Sequence, residues 1–365
     1  MKQTRHSDRP EQDDQLPLVP APQVHAPRAA LPALDQRLRG TTFLGLTPTS
    51  ILNSPQQTGT DFWSINPYVG CEFGCSYCYA RYAHRYVVER AHARGAVSDA
   101  EFRELQQAGG AAFEQRIFVK EHVLAALDRD LRRYFRAAPV SGGPPAPIVI
   151  GTATDPYQPA ERRFQLTRAI LERLAGLEGL SIGIITKSPL VTRDIPVLRR
   201  LAAHSDLEVY VSLISLDATL VRRVERRSPL PAVRLRALAR LTGAGINAGL
   251  IVAPVLPGLT DDGPQLEALF RAAREAGARF VHAGPLRLYA GVRERFLPVL
   301  RTAFPDLVAR YARAYGRASS PPPEYAAALA RRVERLQARV GLPVNCGMAD
   351  RYRPKRAGPQ AELGL

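Results

Sequence analysis

Cys71-Glu72-Phe73-Gly74-Cys75-Ser76-Tyr77-Cys78 gathers three of the chain's four cysteines into eight residues, with the spacing C-x3-C-x2-C. Random placement of four cysteines in 365 residues seldom does this. In a chain of cytosolic character such a cluster reads as a metal site rather than a disulfide network. Three thiolates on one tight loop hold three corners of a cubane iron–sulfur cluster, where a fourth would close it, so one iron stays open to a substrate or cofactor. Structural zinc is the competing reading and needs a fourth ligand, which His84 or the distant Cys346 would supply. Thiols buried as small apolar residues are the third.

Around this loop the chain alternates short apolar runs with longer amphipathic ones. A weak strand precedes Asn66-Pro67-Tyr68. Five more candidates follow: Ile148-Val149-Ile150, Ile182-Gly183-Ile184-Ile185-Thr186, Leu207-Glu208-Val209-Tyr210-Val211-Ser212-Leu213, Ala248-Gly249-Leu250-Ile251-Val252 and Phe280-Val281-His282. Helical patterns cover 79–107 with 120–136, then 163–175, 193–203, 231–243, 264–276 and 293–315. Leu241-Thr242-Gly243-Ala244-Gly245 reads as a helix ending at glycine. Six β-then-α units predict a parallel sheet covered by helices, in which ligands bind at the C-terminal ends of the strands. The residues just after each apolar run are therefore the place to look for chemistry.

The length suits one large α/β domain with appendages. Residues 1–40 are rich in Pro, Gln and charge without a sustained period and read as a disordered tail. Linkers are expected at Pro139–Pro147, Ser319–Pro323 and after Arg351. The expected division is a tail over 1–40, a barrel domain over 41–315 and a helical C-terminal extension with a tail over 316–365. No apolar run approaches the roughly 20 residues that span a bilayer, and the N-terminal residues lack the h-region of a secretory signal. A cytoplasmic protein with no membrane partner is expected.

The net charge of +16 suggests a polyanionic partner such as nucleic acid. Only Lys2, Lys120, Lys187 and Lys355 are lysines, and the abundance of Ala, Arg, Pro and Gly also fits compositional drift. In so lysine-poor a chain, a lysine kept in an apolar stretch invites a specific explanation.

The wider string Asn66-Pro67-Tyr68-Val69-Gly70 through Cys78-Tyr79-Ala80-Arg81 resembles the radical S-adenosylmethionine superfamily, in the branch related to spore photoproduct lyase. The resemblance runs from about residue 60 to 300. It continues through Ile117-Phe118-Val119-Lys120, Gly151-Thr152-Ala153-Thr154-Asp155-Pro156-Tyr157-Gln158-Pro159-Ala160-Glu161, Thr186-Lys187-Ser188, Val211-Ser212-Leu213 and Val252-Ala253-Pro254-Val255-Leu256-Pro257-Gly258.

The resemblance implies an α/β fold, a partial TIM barrel of six β/α units. It further implies a [4Fe-4S] cluster on Cys71, Cys75 and Cys78, and S-adenosylmethionine chelating the open iron. One electron, from a flavodoxin- or ferredoxin-type donor, would split the sulfonium to methionine and a 5′-deoxyadenosyl radical that abstracts hydrogen from substrate, while the protein positions the cofactor. On the same footing, Lys187 and Ser212 would hold the methionyl carboxylate, Thr154 and Asp155 would accept from the methionyl amine, and Tyr77 would lie near the adenine.

One departure limits the resemblance. Spore photoproduct lyase returns hydrogen from a mid-chain cysteine, and here none occurs between Cys78 and Cys346. That puts the thymine-dimer reaction in doubt and leaves Tyr157 or Tyr289 to relay hydrogen, with Cys346 an inert thiol. Two other functions compete. One is a non-catalytic nucleic-acid-binding protein with zinc on Cys71, Cys75, Cys78 and His84, and Arg222, Arg223, Arg226 and Arg227 on phosphates. The other is electron transfer by the cluster alone, which leaves Lys187 and Ser212 without a purpose.

Overall fold

The computed structural model describes residues 33–36, 40–95, 97–108, 111–137 and 146–343. Its strands in chain order are β1 (Ala33–Gln36), β2 (Thr42–Leu46), β3 (Leu52–Asn53), β4 (Trp63–Ile65), β5 (Tyr68–Val69) and β6 (Arg116–Lys120). These are followed by β7 (Ile148–Ile150), β8 (Ser181–Thr186), β9 (Asp206–Ser212), β10 (Ala248–Val255) and β11 (Val281–Pro285). The main sheet has the order β11-β10-β9-β8-β7-β4-β3. From β4 to β11 every neighbouring pair is parallel, and β3 is an antiparallel edge on β4. These six parallel strands are the six runs read from the sequence, and with their helices they form the expected partial barrel.

Strand alternation sorts the side chains. Ile148, Ile150, Ile182, Ile184, Leu207, Val209, Val211, Leu250 and Val252 bury against the helical layer in one core. The intervening Glu208, Tyr210 and Ser212 take the other face of β9. A chemistry-bearing residue therefore reaches the barrel interior only from the off-core positions or from the loop just beyond each strand.

A second sheet, β1-β2-β6-β5, flanks the barrel. Thr42-Phe43-Leu44-Gly45-Leu46 does alternate in burial, but β5 has two residues and is too short to read from periodicity. Three of the helical patterns are interrupted, the 163–175 pattern at Gln165, whose φ of 50 separates Glu161–Phe164 from Leu166–Leu174. The 79–107 pattern splits into Arg81–Ala93 and Asp99–Ala108 because Ser98 and Glu101 form a reciprocal cap, with the Ser98 amide bonded to Glu101 at 3.0 Å. The 293–315 pattern splits into Ala290–Ala303 and Val308–Tyr315 at Phe304, which leaves the helical region (φ −146, ψ 57) as a residue preceding proline tends to.

Ala33–Gln36 corrects the reading of residues 1–40 as a disordered tail, because it pairs antiparallel with β2. An edge strand recruits a partner through backbone groups alone, so a polar stretch qualifies. The rest of 1–39, most of the Pro139–Pro147 linker, the tail after Arg351 and Cys346 lie outside the described residues. Helix Pro323–Val340 follows the Ser319–Pro323 bend and packs Leu329, Val333 and Leu336 into the barrel's own core. Its Gln337 Nε2 donates to the Val281 carbonyl at 2.7 Å on the edge strand β11. No helix among the described residues is long and apolar enough to cross a membrane.

Candidate active site

The cysteine loop leaves β5 and enters helix Arg81–Ala93, and backbone bonds tie it on all sides. The Cys71 amide donates to Phe113 O at 2.9 Å, the Ser76 amide to Val224 O at 2.8 Å and the Arg227 amide to Phe73 O at 3.0 Å. Cys75 pairs with Glu225 in an antiparallel bridge. Gln158 accepts from the Glu72 amide at 3.0 Å and donates to Gly70 O at 3.1 Å. Cys71 and Cys75 are buried and Cys78 is half-buried. Burial pushes all three thiols up, and each also feels the charge of a neighbouring thiol or carboxylate. Thiols so placed ionise when a metal supplies the compensating charge.

Thr154 and Asp155 lie where β7 ends, but their present bonds are internal. The Thr154 hydroxyl donates to Gly70 O at 2.6 Å and accepts from Gln158 Nε2 at 2.9 Å. The Asp155 carboxylate accepts from Thr186 Oγ1 at 2.7 Å, the Tyr157 amide at 2.9 Å and the Lys187 amide at 2.7 Å, stapling β7 to the end of β8. Burial pushes its carboxyl up against those hydrogen bonds.

Lys187 and Ser212 come together from adjacent strand ends: Lys187 Nζ donates to Ser212 Oγ at 2.9 Å and stands 5.8 Å from the centroid of the Tyr77 ring. Burial pulls the Lys187 ammonium down, but the Glu225 carboxylate and Cys75 outweigh it and hold the group above the ordinary lysine value. Three expected cofactor residues, Tyr77, Lys187 and Ser212, thus meet beside Cys75.

Beneath them lies a polar network that the sequence reading missed. Tyr77 OH donates to Glu225, which is ion-paired with Arg234, both side chains being fully buried. Ser228 Oγ donates to Glu225 Oε2 at 2.6 Å, and Arg234 Nη1 donates to the Ser212 carbonyl at 2.8 Å. The network therefore runs from Tyr77 to the serine that meets Lys187. A signal for Arg234 existed. Pro231, Arg234, Ala237, Leu238 and Leu241 share the buried stripe of one helix, and an arginine on an apolar stripe requires a buried partner.

His84 is not placed as a zinc ligand. It is buried against Phe113 and Phe118, with Nε2 3.0 Å from the Arg116 carbonyl, so that nitrogen carries the proton it donates. Burial lowers its pKa to about 4. Among the described residues no three His, Cys, Asp or Glu side chains are grouped to hold a single ion.

Most of the arginine run is also engaged: Arg222 donates to Arg226 O and Ser228 O, Arg223 lies over Phe304, and Arg227 pairs with Glu114. Tyr157 is fully buried among the core side chains that pack the helices on the sheet. Tyr289 is exposed, as are Tyr79, Tyr82 and Tyr86. Tyr79 and Tyr82 stack with ring centroids 6.4 Å apart, Arg90 lies over Tyr86, and Arg287 donates to Tyr289 OH at 3.1 Å.

The Radical SAM superfamily model matches residues 65–270. The chain belongs to the radical SAM superfamily. This radical SAM chain is 35% identical over 329 residues to an uncharacterized protein of Mycobacterium tuberculosis, covering 89% of this chain and 86% of the relative. An uncharacterized protein of Methanocaldococcus jannaschii is 27% identical over 197 residues, covering 54% of this chain and 61% of that one. Solved structures of spore photoproduct lyase share the fold, with TM-score 0.58 at 13% identity over 82% of this chain and 79% of that one. One of them holds AdoMet and a dinucleoside spore photoproduct. The residues present fit the cofactors of the superfamily. Three soft thiol donors share one loop without a fourth, and a cationic Lys187 stands beside them.

Proposed function

We propose that this radical SAM chain is an enzyme that holds a [4Fe-4S] cluster on Cys71, Cys75 and Cys78 and S-adenosylmethionine at the open corner, and that its substrate is a nucleic acid. When bound, the pair supplies reductive cleavage of the sulfonium and a radical able to abstract hydrogen. A flavodoxin- or ferredoxin-type protein provides the electron. The observation that carries the reading is the Lys187–Ser212 pair, 2.9 Å apart beside Tyr77 and Cys75, which presents a cation and a hydroxyl to a carboxylate. Thr154 and Asp155 orient the cysteine loop and the end of β8, and their remaining lone pairs are the acceptors for the methionyl amine. Tyr77, fixed by Glu225, flanks the adenine. The AdoMet-bound lyase of the same fold supports the cofactor.

The nucleic-acid reading rests on the exposed tyrosines 79, 82, 86 and 289, of which Tyr79 neighbours Cys78, Tyr82 and Tyr289, with Arg90 over Tyr86 and Arg287 on Tyr289, more than on the arginine run. Exposed aromatic rings interleaved with arginine stack unpaired bases and meet phosphates. The packing of the His84 ring against Phe113 and Phe118, with no three metal-ligating side chains grouped around one ion among the described residues, favours this enzyme over a zinc-stabilised, non-catalytic binder.

The test is anaerobic reconstitution, iron, sulfide and zinc analysis, and an assay for 5′-deoxyadenosine from S-adenosylmethionine and dithionite. Expected are about four irons, lost on Cys71→Ala, Cys75→Ala or Cys78→Ala and retained on Cys346→Ala. Stoichiometric zinc without sulfide in protein purified without oxygen overturns the assignment.

A further inference from the structure

A buried carboxylate is costly unless paired, and Glu114 is paired three times over. Its side chain is 8% exposed on the short helix Ala112–Gln115. Oε1 accepts from Arg81 Nη2 at 2.6 Å and from Arg295 Nη2 at 3.1 Å, and Oε2 accepts from Arg227 Nη2 at 3.0 Å. Three guanidinium groups against one carboxylate leave two positive charges in surplus (3 − 1) in a largely buried cluster. None of these four residues is part of the cofactor set described above.

The surplus lies against the back of the cysteine loop. The Arg81 nitrogen that meets Glu114 also donates to the Cys75 carbonyl at 2.9 Å, and the Arg227 amide donates to Phe73 O at 3.0 Å. Between them Gly74 takes φ +67, and a Cβ there would stand 2.9 Å from Glu114 Oε2. The missing side chain lets the carboxylate and its arginines press directly on the loop.

We infer that Glu114 and the arginines 81, 227 and 295 set the reduction potential of the iron–sulfur cluster held by this loop. The inference rests on the cluster reading of Cys71, Cys75 and Cys78. A cluster becomes one unit more negative on reduction, and its potential follows the net charge around it. Two surplus positive charges at the loop stabilise the reduced state, and Glu114 limits the effect while fixing the loop. The four side chains are positioning and charge-setting residues that touch no substrate.

The experiment is a midpoint-potential titration of the reconstituted cluster, with dithionite as reductant and the electron paramagnetic resonance signal as readout. Iron and sulfide are counted for each protein. Glu114→Gln removes the negative charge while keeping an acceptor, and the potential becomes less negative. Arg227→Gln and Arg295→Gln each remove one positive charge, and the potential becomes more negative. Each change alters the ratio of reduced to oxidised cluster at fixed potential by up to about tenfold, equivalent to about 59 mV for one electron. Combining Glu114→Gln with Arg295→Gln restores the wild-type value. Potentials that match wild type in variants with full iron content overturn the inference, as do shifts of one sign in all three. If Glu114→Gln does not fold, Arg295→Gln decides alone, because its side chain is 29% exposed and an unchanged potential there refutes the role. Zinc in place of iron in the wild type would instead fail the cluster reading.

Discussion

Glu225→Gln is the perturbation that most directly tests whether the site rests on its buried ion pair. Glu225 and Arg234 are both fully buried, and Glu225 also accepts from Tyr77 and Ser228. Removing one partner of such a pair leaves an uncompensated charge and costs about 3–5 kcal/mol. The titration of Glu225 gives a second route to the magnitude. Burial pushes its carboxyl up, but the charges of Arg234 and Lys187 and the hydrogen bonds from Arg234 and Ser228 bring it from 4.5 down to about 2. At 1.36 kcal/mol per unit this is about 3 kcal/mol. Because the folded value is depressed, the contribution is fully present above pH 4.5 and is lost as the pH falls toward 2. Urea unfolding should show the variant less stable by about 3 kcal/mol at pH 7, with about 2 kcal/mol of that gap gone by pH 3. Replacing both residues, as Glu225→Gln with Arg234→Met, should recover much of the loss, since the unpaired charge disappears. A gap below about 1 kcal/mol at pH 7, or one that does not narrow at pH 3, refutes the reasoning.

Lys187→Ala should weaken S-adenosylmethionine binding by about 1.5–3 kcal/mol by calorimetry, with iron content unchanged; equal affinity in a folded variant would remove the residue from the site. His84, neutral when buried, has its pKa lowered from 6.5 to about 4, so stability should fall by about 3 kcal/mol as the pH drops across that window. His84→Gln should flatten that dependence and leave iron binding intact; loss of metal in the variant would contradict the placement of His84 outside the metal site. Tyr79→Ala with Tyr82→Ala should weaken binding of a single-stranded oligonucleotide by about 1–3 kcal/mol per stacked base, with little effect on duplex. Fluorescence anisotropy at about 50 mM salt reads both, and binding that is equal in variant and wild type would exclude the tyrosine platform.

The sequence carried what depends on local pattern. The six strands appear as apolar runs, and the cysteine spacing marks the loop. The meeting of Lys187 with Ser212 follows from placing each at the end of adjacent strands. The buried networks depend on separation along the chain and were not legible. Tyr77 and Glu225 are 148 residues apart, Glu114 and Arg227 113, and Glu114 and Arg295 181. Within its own neighbourhood Glu225 is one acidic residue in an arginine-rich run, which reads as a solvated helix face. Only the fold that turns that run inward gives it partners.

That same segment explains how the cysteine loop, Tyr77 and the Lys187–Ser212 pair are held as one unit. Val224 accepts from the Ser76 amide, Glu225 bridges to Cys75 through its backbone and to Tyr77 through its side chain, and the Arg227 amide donates to Phe73 O. Residues 224–227, a helix end running into a turn, therefore brace the cysteine loop through their backbone groups. Their side chains diverge: Glu225 reaches through Arg234 to the carbonyl of Ser212, and Arg227 reaches to Glu114 on the opposite side. A displacement of this segment would move the loop's thiols and the Ser212 backbone together. The separation between the cysteine loop and the Lys187–Ser212 pair is thus fixed by one stretch of backbone, although the residues it joins lie far apart in the sequence. The buried pair thereby ties the cysteine loop to the end of β9, in addition to the stability that is lost when one partner is removed.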